Sequence, residues 1–281
     1  MNNLTNKLLG IIEGYIAKKW LNISKTIYIN FRLLPFHHAI KLPIYIYGPV
    51  TFNSLAGKVE IQSKSIFTGM IKLGIQQGCF TACKRGAAIL ITKNAKIIFH
   101  GPCSFDYDYI IRVTNYGTLE IGAFSGFGSD IKLCCNYHIS IGDYCRVAFG
   151  TVFMDTNYHY TINTDTNTVY RKDASIHIGN FNWIGNSCSI MKGTKTADHT
   201  IIGSKSFLNK DYTKDLVPGE SVVIAGSPAT ITGKNMRRIF NVVCEDNLDR
   251  RFTQLSGNKC TVDDLFAQQC LDMETYTRIF N

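Results

Sequence analysis

Residues 178–213 read IGNFNW, IGNSCS, IMKGTK, TADHTI, IGSKSF and LNKDYT, six hexads that follow one another without an insertion. Five of the six begin with an aliphatic residue, and the exception begins with Thr196. The same frame recurs upstream in two sets of three hexads, which start at Ile121 and Ile141. A fixed short period indicates a repeat architecture, and it takes priority over residue-by-residue assignment of secondary structure.

A six-residue period suits a coil with three short flat sides. The aliphatic residue of each hexad points into a narrow prism, and the small residue beside it allows the backbone to turn the corner. Stacked coils then bury one another's apolar layers, as in other solenoids. An α-helix would require apolar spacings of three and four, which these segments lack. An apolar-x-apolar-Gly signature also recurs at residues 71–74, 119–122, 139–142 and 176–179. The sequence therefore predicts a mainly β protein, built as a parallel β-helix.

The composition agrees with strands and tight turns. Of the 281 residues, 45% are hydrophobic and 18% are charged, which is enough apolar material for a substantial core. The ten cysteines include no CxxC pair, so we expect reduced thiols and no metal site. No secretion signal and no apolar run of spanning length occur, so we expect a cytoplasmic protein. The net charge of +9 accompanies no nucleic-acid-binding motif, which favours acidic small molecules or anionic lipid as partners.

The chain is expected to have three segments. Residues 1–58 form an amphipathic helix and a lead-in segment, residues 59–233 the β-helix, and residues 234–281 a short helical tail. Apolar residues at helical spacing predict the first helix. Seven basic residues against one acid in residues 1–58 leave two roles open for it, packing on the β-helix or contact with a membrane surface. For the tail we expect a capping role or a contact between subunits.

Three motifs resemble the hexapeptide-repeat acyltransferase family, and in particular its sugar and capsular-polysaccharide O-acetyltransferases. They are the I-G-x-x-x-x hexads, WIG at residues 183–185 and AGSPA at residues 225–229. The resemblance is strong over residues 119–233, and residues 59–118 fit as degraded coils. It implies a left-handed β-helix, a homotrimer, and acetyl transfer from acetyl-CoA to a hydroxyl of a saccharide. Two alternatives stay open: an N-acyltransferase on an amino sugar nucleotide, and a non-catalytic β-helix scaffold at a membrane surface.

The longest break in the repeat is a polar excursion at residues 154–175, the expected catalytic loop. Long excursions from a rigid scaffold often carry functional sites. Its first residues, MDTNYH, resemble the family segment that ends in the catalytic histidine, which implies that His159 is the base. An imidazole titrates near pH 6.5 and can accept the proton of a sugar hydroxyl as that hydroxyl attacks a thioester. We expect Asp155 to orient the ring, with Asn157 as the alternative acceptor.

The resemblance also implies a CoA groove between subunits. The stretch IIGSKSFLNKDY at residues 201–212 is similar to IGAGSVVTKD in the family, with Lys205 in place of a customary glycine. The implied cofactor contacts are Ser204, Lys205, Ser206, Asn209, Lys210 and Pro228. Backbone N–H groups near Gly185 and Asn186 are the expected oxyanion donors, and Trp183 is the expected wall of the pocket.

Charged and polar residues complete the expected site. Lys234 is a candidate cation for the phosphates of CoA. Asp130, Asn136 and Asn157 are candidates for hydrogen bonds to the acceptor. The other histidines are less suitable as the base, because His177 falls within a predicted strand and His199 at a predicted corner.

Overall fold

The computed structural model describes residues 20–76 and 86–272. The predicted N-terminal amphipathic helix lies almost entirely outside these residues. The chain divides into two compact units, Met1–Met236 and Arg237–Asn281. In the residues described, no helix is both long enough and apolar enough to cross a membrane.

The first unit contains helices α1 (Ile23–Leu33) and α2 (Phe36–Ala39). Its strands are β1 (Ile44–Ile46), β2 (Val50–Leu55), β3 (Lys58–Ile61), β4 (Ile71–Leu73), β5 (Ala87–Ile91), β6 (Lys96–Phe99), β7 (Cys103–Phe105), β8 (Ile110–Val113), β9 (Thr118–Ile121), β10 (Ser125–Phe127), β11 (Lys132–Cys135), β12 (His138–Ile141), β13 (Arg146–Val147), β14 (Val152–Met154), β15 (Thr161–Asn163), β16 (Thr168–Tyr170), β17 (Ile176–Ile178), β18 (Trp183–Ile184), β19 (Ser189–Met191), β20 (Ile201–Ile202), β21 (Phe207–Leu208), β22 (Val222–Gly226) and β23 (Ala229–Lys234).

Three sheets form the three faces of a prism. Face 1 contains β1, β4, β7, β10, β13, β18, β20, β22 and β23; face 2 contains β2, β5, β8, β11, β14, β19 and β21; face 3 contains β3, β6, β9, β12 and β17. Stacked strands pair in parallel, apart from the closing β22–β23 hairpin. The chain visits the faces in rotation, so one circuit forms one coil. The prediction of a mainly β, parallel β-helix fold is confirmed.

The residues that begin the hexads form the core. Ile121, Phe127 and Leu133 begin one set, and each is at most 1% exposed. Thr196, the one polar exception in the longest run, is also buried, and its hydroxyl donates to Asn182 Oδ1 at 2.8 Å. The hexad frame therefore predicted which side chains point inward.

At the corners that contain Gly122 and Gly142, glycine has a different role from the one expected. A Cβ on Gly122 would lie 2.2 Å from the carbonyl carbon of Gly142 on the next coil, so glycine is needed for the close approach of coils. The left-handed backbone conformation instead falls two residues later, at Phe124 (φ 58°) and Tyr144 (φ 57°). Their rings stack 5.1 Å apart along the corner, so aromatic contacts stabilise the turn that glycine was expected to provide.

The β-helix begins before the expected boundary at residue 59. Ile44 in β1 pairs with Ile71 in β4, and β2 pairs with β5. Helix α1 lies against this first strand through the buried side chain of Asn30. The Asn30 amide donates to the carbonyl oxygen of Ile44 at 2.7 Å and accepts from its N–H at 3.1 Å. The lead-in segment thus satisfies backbone groups that an edge strand would otherwise leave open.

Replacing Asn30 with alanine is expected to lower the free energy of unfolding by about 1–3 kcal/mol, because it leaves buried backbone groups of Ile44 without a partner. The midpoint of urea denaturation, followed by circular dichroism, measures this change. Asn258→Ala, at an exposed position, is the control and should leave the midpoint unchanged. Equal midpoints for the two variants would contradict this account of the α1 contact.

The second unit contains the two remaining helices, α3 (Val242–Gln254) and α4 (Asp264–Leu271). Each begins at a side-chain cap, Asn241 for α3 and Asp263 for α4, whose side-chain oxygens accept from backbone N–H groups of the first turn. A small apolar cluster that includes Cys244 and Phe266 joins the two helices. The predicted helical tail is therefore present.

Candidate active site

The excursion leaves the β-helix at the corner between faces 2 and 3. It begins after β14, contains the antiparallel hairpin β15–β16, and returns at β17. Its two arms pair at the base, where the Asn157 N–H donates to the carbonyl oxygen of Lys172 at 2.9 Å. A bridge between Thr156 and Asp173 continues this pairing. The polar residues of the expected catalytic loop are thus held in a defined hairpin.

Asp155 anchors the base of the excursion. Its carboxylate is buried, and its two oxygens accept from the backbone N–H groups of Asn136 and Tyr137, each at 2.8 Å. Burial raises the pKa of Asp155, and the hydrogen bonds from these two amides act against that rise. Among the hydrogen bonds of the described residues, none joins Asp155 to the His159 ring. The expected orienting role of Asp155 therefore has no support in this geometry, which gives the residue a structural role.

His159 is exposed on the first arm of the excursion. Its backbone N–H donates to the carbonyl oxygen of Asn157 at 2.7 Å. The flanking tyrosines each carry a cation over the ring: Arg112 lies 5.8 Å from the centroid of Tyr158, and Lys172 lies 5.1 Å from that of Tyr160. The imidazole is thus accessible to a hydroxyl substrate and is bordered by positive charge.

The candidate acceptor residues occupy two different corners. Asn136 lies beside the excursion, where its N–H is bound by Asp155 and its side-chain oxygen accepts from the hydroxyl of Thr114. Asp130 lies at the opposite edge of face 2 and forms an ion pair with Lys132 at 2.9 Å. In a single chain, Asn136 and Asn157 therefore lie at the same corner of the β-helix as His159, whereas Asp130 lies at another corner.

The expected CoA residues on the last coils follow the corner between faces 1 and 2. The Lys205 N–H donates to the carbonyl oxygen of Asn186 at 2.8 Å, and the Asn186 N–H donates to Ser204 Oγ at 3.2 Å. A Cβ on Gly185 would lie 2.6 Å from the Ser204 nitrogen, so this glycine allows close stacking. Ser204 and Lys205 are exposed. They form a continuous polar edge that a pantetheine or phosphate group could follow.

Two of the expected CoA contacts have partners within the chain. Ser206 is 1% exposed, and its hydroxyl donates to the Gly203 carbonyl oxygen at 2.6 Å, so this side chain packs the corner. Lys234 forms an ion pair with Glu220 at 2.8 Å, so its charge is already matched. The Ser206 contact is local, since Gly203 lies only three residues away in the chain. The Lys234 contact depends on the β22–β23 hairpin, which sequence spacing could not reveal.

The remaining expected residues lie at three places on the β-helix. Trp183 is 43% exposed on face 1, where it pairs with Arg146 and Ile201 on adjacent coils. Asn209 and Lys210 are exposed after β21, at the corner between faces 2 and 3. Pro228 is exposed in the turn between β22 and β23. The chain therefore presents two polar edges, one at each side of face 2.

Charged and aromatic residues around the excursion were not among the predicted site residues. Arg171 lies 4.6 Å from the ring centroid of Tyr137, and Lys192 Nζ donates to the carbonyl oxygen of Arg171 at 2.7 Å. The adjacent basic pair at residues 171–172 was a visible signal within the polar loop. Arg112 had no such signal, because it reaches the loop from two coils away.

Comparison with solved structures finds matches to several acyltransferases. The polySia-specific acetyltransferase NeuO is 19% identical, with a TM-score of 0.47, over 79% of this chain and 91% of that chain. The polysialic acid O-acetyltransferase OatWY is 20% identical, with a TM-score of 0.35, over 80% of this chain and 82% of that chain. Galactoside acetyltransferase, solved with coenzyme A, is 16% identical, with a TM-score of 0.34, over 86% of each chain. No protein-family model and no curated protein matches the sequence.

Proposed function

We propose that this protein is an acetyl-CoA-dependent O-acetyltransferase that acetylates a hydroxyl of a saccharide, with His159 as the general base. The observation that carries the proposal is the position of His159. It is an exposed imidazole on a hairpin that is anchored at its base by Asp155. Its segment resembles the catalytic segment of the hexapeptide-repeat acyltransferases.

In the proposed reaction, His159 accepts the proton of the acceptor hydroxyl while the hydroxyl oxygen attacks the thioester carbonyl carbon. The oxygen–carbon bond forms and the carbon–sulfur bond breaks. The proton held on His159 then passes to the departing thiolate, which leaves as the free thiol. Acetyl-CoA is a co-substrate that supplies the acetyl group, and no side chain of the protein is acylated.

We further propose that the working unit is a homotrimer. His159 and the polar edge formed by Asn186, Ser204 and Lys205 lie at opposite sides of face 2. A catalytic base must come within hydrogen-bond reach of the hydroxyl it deprotonates. A neighbouring subunit whose corner approaches His159 would supply the donor edge, which is the arrangement that the family resemblance implies.

The proposed activity is tested by thiol release from acetyl-CoA with a panel of neutral and anionic oligosaccharides. We expect acceptor-dependent thiol release, with the acetyl group recovered as an oxygen ester that mild base removes. An amide product would favour the N-acyltransferase alternative. The absence of acceptor-dependent release across the panel would overturn the proposal. Sedimentation equilibrium on the same sample tests the trimer.

A further inference from the structure

Four cations around His159 form no ion pair with a carboxylate of the described residues. Arg112, Arg171, Lys172 and Lys192 come from three separate segments of the chain, and we refer to them as the cationic rim. The ion pairs found in residues 20–76 and 86–272 all involve other side chains. Unmatched positive charge concentrated on one surface attracts anions.

Two carboxylates lie at the base of the excursion, and neither forms an ion pair with a rim cation among the described residues. Asp155 is buried and bound to the Asn136 and Tyr137 amides. Asp173, at the base of the excursion, has a buried Oδ1 atom with no hydrogen-bond partner within the described part of the chain. Within the described part of the chain, neither carboxylate therefore forms an ion pair with any of the four rim cations.

Three of the four rim cations lie over tyrosine rings, and the fourth, Lys192, donates to the Arg171 carbonyl oxygen. Three tyrosines, Tyr137, Tyr158 and Tyr160, each have a rim cation over the ring, and they are 43%, 39% and 66% exposed. Rings with an apolar body and a polar tip suit surfaces that contact partly apolar, partly hydrated ligands such as sugars. Restricting the cations beforehand lowers the entropy cost of binding an anion.

We propose that the acceptor is an anionic saccharide whose carboxylate or phosphate oxygens are bound by the cationic rim while its hydroxyl faces His159. This inference rests on the proposed acetyltransferase activity and adds the substrate class to it. The residues assigned to CoA include an exposed cation of their own, Lys205, so the proposal assigns the rim to the acceptor.

Steady-state kinetics with the full-length protein tests this assignment. The acceptors are sialic acid and galacturonic acid tetramers, the same tetramers with their carboxylates reduced to alcohols, and a sugar 1-phosphate. We expect the anionic acceptors to be preferred over the reduced ones. Comparing the anionic tetramers with the sugar 1-phosphate distinguishes recognition of a carboxylate from recognition of a phosphate. The KM for the preferred acceptor should rise with ionic strength, because salt screens exposed charges.

Charge removal provides the matched variants. Arg171→Gln and Lys172→Gln are each expected to raise the KM for the anionic acceptor by about fivefold, the effect of losing one exposed ion pair, and to leave the KM for acetyl-CoA unchanged. Lys96→Gln removes a cation on face 3 that pairs with Glu60 at 3.7 Å, and it should change neither constant.

The two proposals fail in different ways. If reduced and anionic tetramers are acetylated equally well, and neither rim variant changes the KM of the acceptor, the anionic-acceptor proposal is overturned while the acetyltransferase activity stands. A rise in the KM for acetyl-CoA in the rim variants would assign the rim to the CoA phosphates and would also overturn it. If no acceptor in the panel is acetylated, the proposed activity itself is wrong.

Discussion

Replacing His159 with alanine is expected to lower kcat by about 10²- to 10⁴-fold, the usual contribution of a general base. This change removes the imidazole and retains the backbone hydrogen bond from His159 to Asn157. Thiol release from acetyl-CoA, measured at saturating acceptor, checks the result. The KM for acetyl-CoA should change little, since a residue that acts on the hydroxyl contributes mainly to the transition state.

His37→Ala is the matched control for this variant. His37 is an exposed histidine on α2, and its removal should leave kcat unchanged. Circular dichroism of the His159→Ala protein should match that of the wild type, because His159 is exposed. If kcat is unchanged in the His159→Ala protein, His159 is not the base, and the proposed mechanism fails.

Replacing Phe127 with alanine is expected to lower the free energy of unfolding by about 3–5 kcal/mol. Phe127 begins one of the upstream hexads and is 1% exposed. Its ring stacks on that of Phe105 from the adjacent coil, with centroids 4.1 Å apart and planes 5° from parallel. The substitution removes this contact and leaves a cavity within the prism, where the surrounding coils are too constrained to collapse. Urea denaturation followed by circular dichroism measures the loss.

The control for the core variant is Tyr116→Ala. Tyr116 is 79% exposed at a turn of the β-helix, and we expect a change within about 0.5 kcal/mol, as for other surface substitutions. A similarly small change for Phe127→Ala would mean that the hexad positions do not carry the stability of the β-helix.

The interior of the β-helix could be predicted because its causes are local. Side chains alternate between the two sides of a strand, so Ile121, Phe127 and Leu133 had to face the same interior once the period was recognised. The small corner residues could also be located. The physical reason for glycine at these corners could not be predicted. Gly122 is required because Gly142 on the next coil approaches closely, and no single coil contains that contact.

The candidate site was predicted less completely. The excursion was found because it interrupts a regular pattern. His159 stays a prediction that rests on its place in the excursion and on the family resemblance. The hydrogen-bond and ion-pair partners of Asp155 and Lys234 could not be predicted. A carboxylate or an ammonium group can reach many donors or acceptors, and the sequence does not indicate which one it binds. Asp155 binds two backbone amides on the preceding coil, and Lys234 binds Glu220.

The sequence by itself determined that this chain forms a parallel β-helix interrupted by one long polar excursion, because the repeat period and the alternation of side chains are properties of consecutive residues. Only the tertiary structure decided what surrounds the excursion. Arg112 arrives from two coils below, Lys192 from the coil above, and Arg171 and Lys172 from the returning arm. Their proximity follows from coil stacking and from the path of the hairpin, which place residues together that are far apart in the chain.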